Sequence, residues 1–342
     1  MTRLRWATIL LLVFYSQASS SALSEQACLI EQLNTADDNV TIGDLKAVCQ
    51  TLHPRIEDPT EPAIPVIESL TEAKATSTPS ALVQRIQLER QNNNPFSLLP
   101  HKPNYLIISN NIGSPNERPF NDAFPHKDTH LQPWETKFQI SFKVPIARDL
   151  FNKADLFIAY TNRSFFQQFN KEDSAPFRDS NHEPEVWLSF KNNAKVLGLH
   201  NRVIRTGFSH QSNGQSGSLS RSWNRIYVDF LFERDNWYFS LKPWWQVPEN
   251  SDSDDNPDID QFLGNFELGG IYKHQQHNFS FLVRNNLRSN DNNGAVELGW
   301  SFPISKNVRG YAQWFNGYGE SLIDYDARTN SLGFGIQLTD WL

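Results

Sequence analysis

Between Ser209 and Arg225 the chain reads SHQSNGQSGSLSRSWNR, which sets His210 and Ser212 two residues apart and Asn224 just beyond a turn. A serine hydroxyl is a weak nucleophile at its own pKa. Ester chemistry therefore needs an imidazole to take the hydroxyl proton and a third group to hold that imidazole. Ser212 suits the nucleophile, His210 the general base and then acid, and Asn224 the orienting group. A neutral amide fixes the ring tautomer through its carbonyl oxygen, although it stabilises an imidazolium less than a carboxylate does. The competing reading is a polar hairpin tip, because Ser, Asn and Gly all favour turns.

Strand parity bears on the choice, since side chains alternate sides along a strand. Before the turn, Ile204, Thr206, Phe208, His210 and Ser212 share one face; after it, Ser222, Asn224, Ile226, Val228, Phe230 and Phe232 share one. The candidate residues thus lie on faces that are otherwise apolar. A soluble fold would bury those faces away from substrate, whereas a membrane barrel turns them toward lipid.

The rest of the chain favours the barrel. No apolar run of about 18 residues follows the N-terminus, yet aromatic residues make up 13% of the sequence and recur in alternating segments. Twelve such segments are expected, at 105–111, 137–147, 155–169, 183–192, 195–212, 220–234, 236–248, 262–274, 277–288, 294–305, 308–319 and 329–340. Long connections near 112–136, 170–182, 213–219, 249–261, 289–293 and 320–328 alternate with short turns such as Asn192-Asn193 and Asp235-Asn236. Long extracellular loops and short periplasmic turns are the rule for outer-membrane barrels. The loop after Ser212 then lies outside, and the candidate site faces the outer leaflet. The expected fold is all-β, a twelve-stranded antiparallel transmembrane β-barrel over residues 96–342.

Arg3 and Arg5 precede an apolar run from Trp6 to Tyr15 and then small residues to Ala22, the pattern of a secretory signal over 1–22. Residues 23–95 read as a periplasmic extension: a helical hairpin clipped by Cys28 and Cys49, a Pro-rich linker over 54–79 and a short helix over 81–92. The two cysteines pair or stay as free thiols, and spacing does not decide between them. His182, His200, His274 and His277 are expected at loops or strand ends, with no grouping suited to a metal. Arg205, Arg225, Asp229 and Glu297 face the expected lumen and should pair there. The Trp residues at 187, 223, 237, 244, 245, 300 and 314 are expected in interfacial girdles. A net charge of −7 with no basic stripe speaks against nucleic acid as a partner.

The motif H-Q-S-N-G with S-R-S-W-N-R, NPFSLLPHKPNYLI at 94–107, KPWW at 242–245, DDNPDI at 254–259 and GYGESLIDY at 317–325 closely resembles bacterial outer-membrane phospholipase A. The resemblance runs from about Ala81 to the end and leaves the region from Cys28 to Pro79 uncovered. It implies calcium-dependent hydrolysis of the sn-1 and sn-2 acyl esters of phospholipids and lysophospholipids in the outer membrane. It gives Ser212, His210 and Asn224 the roles argued above, and the oxyanion to the Gly214 backbone N–H together with a calcium-bound water. It implies one Ca2+ per monomer in an active homodimer, held by the Ser220 hydroxyl, the Gln215 carbonyl and the carbonyl of Ser174 of the partner subunit. Activity would stay silent until phospholipid reaches the outer leaflet and monomers pair.

Three positions depart from the family: Gln215 stands in place of an arginine, Gly217 of an acidic residue and Asn162 of a glutamine. The chain also ends in Trp341-Leu342, where barrels commonly end in an aromatic residue. Barrel-insertion machinery is a partner by location alone. The alternative function is a non-catalytic barrel, either a narrow channel or an adhesion scaffold.

Overall fold

The computed structural model describes Cys49 and residues 79–91, 97–127, 129–172, 176–249, 254–306 and 308–340. The chain divides into two compact units, residues 1–75 and 76–342. Of the first, only Cys49 is described; it is buried and disulfide-bonded, and Cys28 lies outside the described residues, as do the expected signal and linker.

Twelve long strands build the second unit: β1 Asn104–Asn111, β2 Trp134–Leu150, β3 Ala154–Phe166, β4 Phe177–Lys191, β5 Leu199–Ser212 and β6 Ser222–Arg234, followed by β7 Trp237–Val247, β8 Phe266–His274, β9 His277–Asn285, β10 Gly294–Pro303, β11 Arg309–Tyr318 and β12 Arg328–Thr339. Each pairs antiparallel with its neighbours in sequence. β12 returns to pair with β1 through Phe334↔Ile108 and its flanking residues, which closes the barrel. Closure leaves no unpaired edge, the condition for crossing hydrocarbon with strands. Two-residue strands at Leu99–Pro100 and Lys195–Val196 pair onto β2 and β5.

The twelve expected segments are these twelve strands, with two local differences. Residues 262–263 belong to the helix Ile259–Leu263 rather than to the start of a strand, and β4 begins at Phe177 rather than near 183.

Parity holds throughout the hairpin of β5 and β6. Phe208 and Ile226 are 38% and 50% exposed on the outer wall, while Ser209 and Trp223 between them are 0% and 1% exposed toward the lumen. The outer wall continues around the barrel through exposed Leu106, Ile140, Ile158, Leu298 and Phe334. Such side chains remain outside because lipid, not water, is their solvent. Among the described residues no helix is long and apolar enough to span a membrane.

The lumen is a packed polar interior. Arg205 pairs with Asp229 at 3.5 Å and Arg225 with Glu183 at 2.9 Å, while Glu297 lines the same interior. Three of the tryptophans expected in girdles, Trp187, Trp223 and Trp244, are instead buried in the lumen. Their indoles fill part of the lumen, and Arg225 stacks over the Trp223 ring, 4.1 Å from its centroid. Trp237, Trp245 and Trp300 do face outward.

Both ends of the lumen are covered. On the loop side α3, Ile259–Leu263, packs Ile259 and Leu263 against Leu322, Tyr325, Trp223 and Trp244. At the opposite end lies α1, Ala81–Gln91, whose first turn is capped by the Ser80 hydroxyl accepting from Val83 N–H at 3.2 Å. Leu82 of α1 is buried against Val203, Leu231, Tyr238 and Ile271, on four successive strands. Glu89 pairs with Lys143 of β2 at 2.9 Å, and Arg90 with Asp155 of β3 at 2.8 Å. Burial alone would raise the Glu89 carboxyl, but Lys143 and Arg85 outweigh it and hold the group below its usual range. A third helix, α2 at Arg118–Ala123, lies in the first long loop.

Candidate active site

The site is built on one hairpin. Antiparallel pairing of β5 and β6 sets His210 directly opposite Asn224 and Ser212 opposite Ser222. His210 Nδ1 donates to Asn224 Oδ1 at 2.9 Å. With Nδ1 carrying the proton, Nε2 is the basic nitrogen of the neutral ring. Ser212 stands on the same outer face, two residues along the strand. Its hydroxyl makes no direct hydrogen bond to the ring, and accepts the Gly214 backbone N–H at 3.1 Å.

The turn that follows is held from within. Gly214 has φ +66° and Gly217 φ +64°, in the left-handed region that glycine enters at no steric cost. Buried Asn213 staples the loop: its Nδ2 donates to Leu219 O at 2.9 Å, and its Oδ1 accepts from Arg221 N–H at 3.0 Å. A second loop braces the first. Fully buried Asn256 accepts the Ser222 N–H at 2.8 Å, and the Ser220 hydroxyl donates to the Asp255 carboxylate at 2.5 Å.

That contact bears on cation binding. The Ser220 hydroxyl, the Asp255 carboxylate and the backbone carbonyl of Gln215 in the same turn are hard oxygen donors, the kind calcium selects. Among the described residues no group of three or more His, Cys, Asp or Glu is placed to hold a metal. A hard cation held by such oxygens would take further ones from elsewhere. Ser174, expected to supply one from the partner subunit, lies outside the described residues.

A row of polar groups extends the site across the outer wall. His182 is not at a loop, as its surroundings in sequence suggest; it lies inside β4, paired with Ser212 across the strand boundary and with Asn162 on its other side. Tyr160 O–H donates to His182 Nδ1 at 2.6 Å, and Asn162 Nδ2 faces the same nitrogen at 3.4 Å. Asn162 Oδ1 accepts from Ser164 at 2.9 Å, which turns the amide NH2 toward the imidazole. The Gly214 Cα faces the edge of this ring, close enough that a Cβ there would meet His182 Cδ2 at 3.8 Å. Polar groups on a lipid-facing wall are costly unless paired, and these pair with one another. Residues that sequence reasoning passed over are thus His182, Asn256 and Glu249, the last accepting from Asn224 Nδ2 at 2.8 Å.

A closed, even-stranded antiparallel barrel with an apolar outer belt and a Ser–His–Asn row on that belt is an integral outer-membrane protein of bacterial type. A phospholipase A1 family model matches residues 82–338, and the chain belongs to that family. Phospholipase A1 of Escherichia coli K12 is 37% identical over 254 residues, covering 73% of this chain and 84% of the relative. Phospholipase A1 of Salmonella typhimurium is 36% identical over 252 residues, covering 73% and 84%. Among solved structures, outer membrane phospholipase A from Escherichia coli superposes with TM-score 0.67 at 36% identity, covering 72% of this chain and all (100%) of that one. The Salmonella typhi outer membrane phospholipase dimer with bound calcium superposes with TM-score 0.69 at 35% identity, covering 75% of this chain and 98% of that one.

Proposed function

We propose that the protein is a calcium-dependent phospholipase that hydrolyses acyl esters of membrane phospholipids and lysophospholipids from the lipid side of its barrel. The observation that carries this reading is the 2.9 Å His210–Asn224 bond beside Ser212, on an outward wall where Phe208 and Ile226 stand exposed. A structural turn gains nothing from exposing these three groups to hydrocarbon, whereas a lipid ester reaches them by lateral diffusion.

In the first half-reaction Ser212 Oγ adds to the ester carbonyl while its proton passes to His210 Nε2, and the Asn224 carbonyl steadies the resulting imidazolium. The Gly214 N–H, which meets Ser212 Oγ at 3.1 Å, is available to the oxyanion. Collapse breaks the ester C–O bond, and His210 returns the proton to the departing glycerol oxygen. Water then repeats the sequence on the acyl-serine and releases fatty acid. Calcium held by Ser220, Gln215 and Ser174 of the partner subunit, with Asp255 beside Ser220, would supply positive charge to the oxyanion. That shared site makes the active form a homodimer. With phospholipid scarce in an intact outer leaflet, the enzyme rests until damage delivers substrate and lets monomers pair.

Gly214→Ala isolates the backbone contribution. The added methyl meets nothing closer than 3.8 Å, so the substitution costs only the left-handed strain of about 1–2 kcal/mol. Relief of that strain swings the N–H away. The expected result is a kcat lowered about a hundredfold, with KM within a few-fold and the barrel still folded.

The alternative reading, a narrow channel, meets a lumen narrowed by Trp187, Trp223 and Trp244, with α3 packed at one end and α1 at the other. Fatty-acid release and planar-bilayer conductance, recorded on the same preparation and on Ser212→Ala, separate the two. A phospholipase releases fatty acid in a Ser212-dependent way without conducting; a steady conductance indifferent to Ser212, with no release, is the channel result.

A further inference from the structure

The Asn224 amide has a second partner, and that partner is a carboxyl group. Its Oδ1 accepts from His210 Nδ1 at 2.9 Å while its Nδ2 donates to Glu249 Oε1 at 2.8 Å. A carboxylate only accepts, so the NH2 must face Glu249 and the carbonyl must face the imidazole. Only one orientation of the amide satisfies both. Glu249 lies two residues beyond Val247, which ends β7 and is the strand partner of Asn224. Register sets Val247 opposite Asn224, and Glu249, just past the strand end, reaches the amide from there.

We propose that Glu249 is a positioning residue for the hydrolase described above, completing the Ser212–His210–Asn224 row and lending Asn224 the negative charge that an aspartate would carry there. This rests on the phospholipase reading. A neutral amide stabilises an imidazolium less than a carboxylate does. An ionised acceptor on the amide N–H polarises it and enriches the charge on Oδ1, where the His210 proton is held. Glu249 also locks the amide against the flip that would present an NH2 to His210. The titratable groups beside this row on neighbouring elements include His182 of β4, Tyr160 of β3, which bonds His182, and Asp255, which accepts from Ser220.

The test is kcat/KM against pH, in phospholipid–detergent mixed micelles with calcium, for the wild type, Glu249→Gln, Glu249→Ala, Asn224→Asp and the Asn224→Asp/Glu249→Gln pair, with thermal unfolding of each. Glu249→Ala should lose about tenfold in kcat/KM. Both Glu249 variants should move the acid limb of the profile to lower pH, because the charge that favours the imidazolium has gone. In the Asn224→Asp background two carboxylates face each other, so Glu249→Gln should there raise activity. A change that is harmful in one background and helpful in the other is not the mark of a merely structural residue. Superimposable profiles, with no rescue of Asn224→Asp, would overturn the proposal while leaving a Ser212-dependent enzyme intact. A folded wild type with no Ser212-dependent release would remove the phospholipase reading and this proposal with it.

Discussion

Ser212→Ala is expected to lower kcat for fatty-acid release by a factor of about 10⁴ or more while the barrel stays folded. The size follows from the chemistry: without the hydroxyl no acyl-serine forms, and the residual rate is that of water attacking an ester held beside an oxyanion donor. Stability should barely change. Ser212 is half-buried at the end of β5, and its hydroxyl serves only as acceptor for the Gly214 N–H, which is free to turn to water. His210→Ala should cost about as much. The double variant should cost little more than either single one, because residues that act as a unit are strongly non-additive. Additive losses would mean that His210 and Ser212 do not share a step.

The largest effect on stability is expected inside the lumen. Lys137 is 0% exposed, and its ammonium donates to Glu320 at 2.9 Å and to Gln313 at 2.7 Å. Phe165 and Phe315 close over the charge at 5.6 and 5.9 Å. Burial pushes the Glu320 carboxyl up, but Lys137 and the Ser331 hydroxyl draw it down overall, so it stays ionised. Glu320→Ala leaves a buried ammonium without its counter-charge, and should destabilise the barrel by about 3–5 kcal/mol. Joint replacement, Lys137→Met with Glu320→Leu, removes both desolvated charges and should recover most of that loss. Urea unfolding of the protein refolded into detergent or vesicles reads both. If Glu320→Ala unfolded at the wild-type midpoint, the lumen would be wet enough to solvate Lys137.

How much of this was legible in sequence depended on whether a two-residue period governs it. Parity put His210, Ser212 and Asn224 on one outer wall, and antiparallel pairing then had to bring 210 to 224. The aromatic residues were harder. Composition made Trp187, Trp223 and Trp244 look like girdle residues, yet they are buried in the lumen among charges, where stacking under Arg225 holds Trp223.

His182 was hidden because the polar run from Arg178 to Asn181 reads as loop. Those residues in fact extend β4, since Arg178 finds Glu135 and Asp324, and Asp179 accepts the Ile323 N–H at 2.9 Å. Those partners lie far along the chain. Glu249 was hidden for the same reason: its contact depends on where a strand ends and how the next loop departs, which no local pattern encodes. The helix at 259–263 likewise owes its place to packing on Leu322 and Tyr325, with the Tyr325 hydroxyl donating to Asp258 at 2.7 Å.

The central claim is tested most directly by the initial rate of fatty-acid release from diacyl phospholipid in mixed micelles by the refolded full chain. The rate is followed in excess calcium, then after chelator, then with calcium restored. The account predicts release that stops with chelation and returns with calcium, in step with the fraction of protein cross-linkable as a dimer. Absence of release from a folded, dimeric protein in calcium, or release at an unchanged rate under chelator, would contradict it.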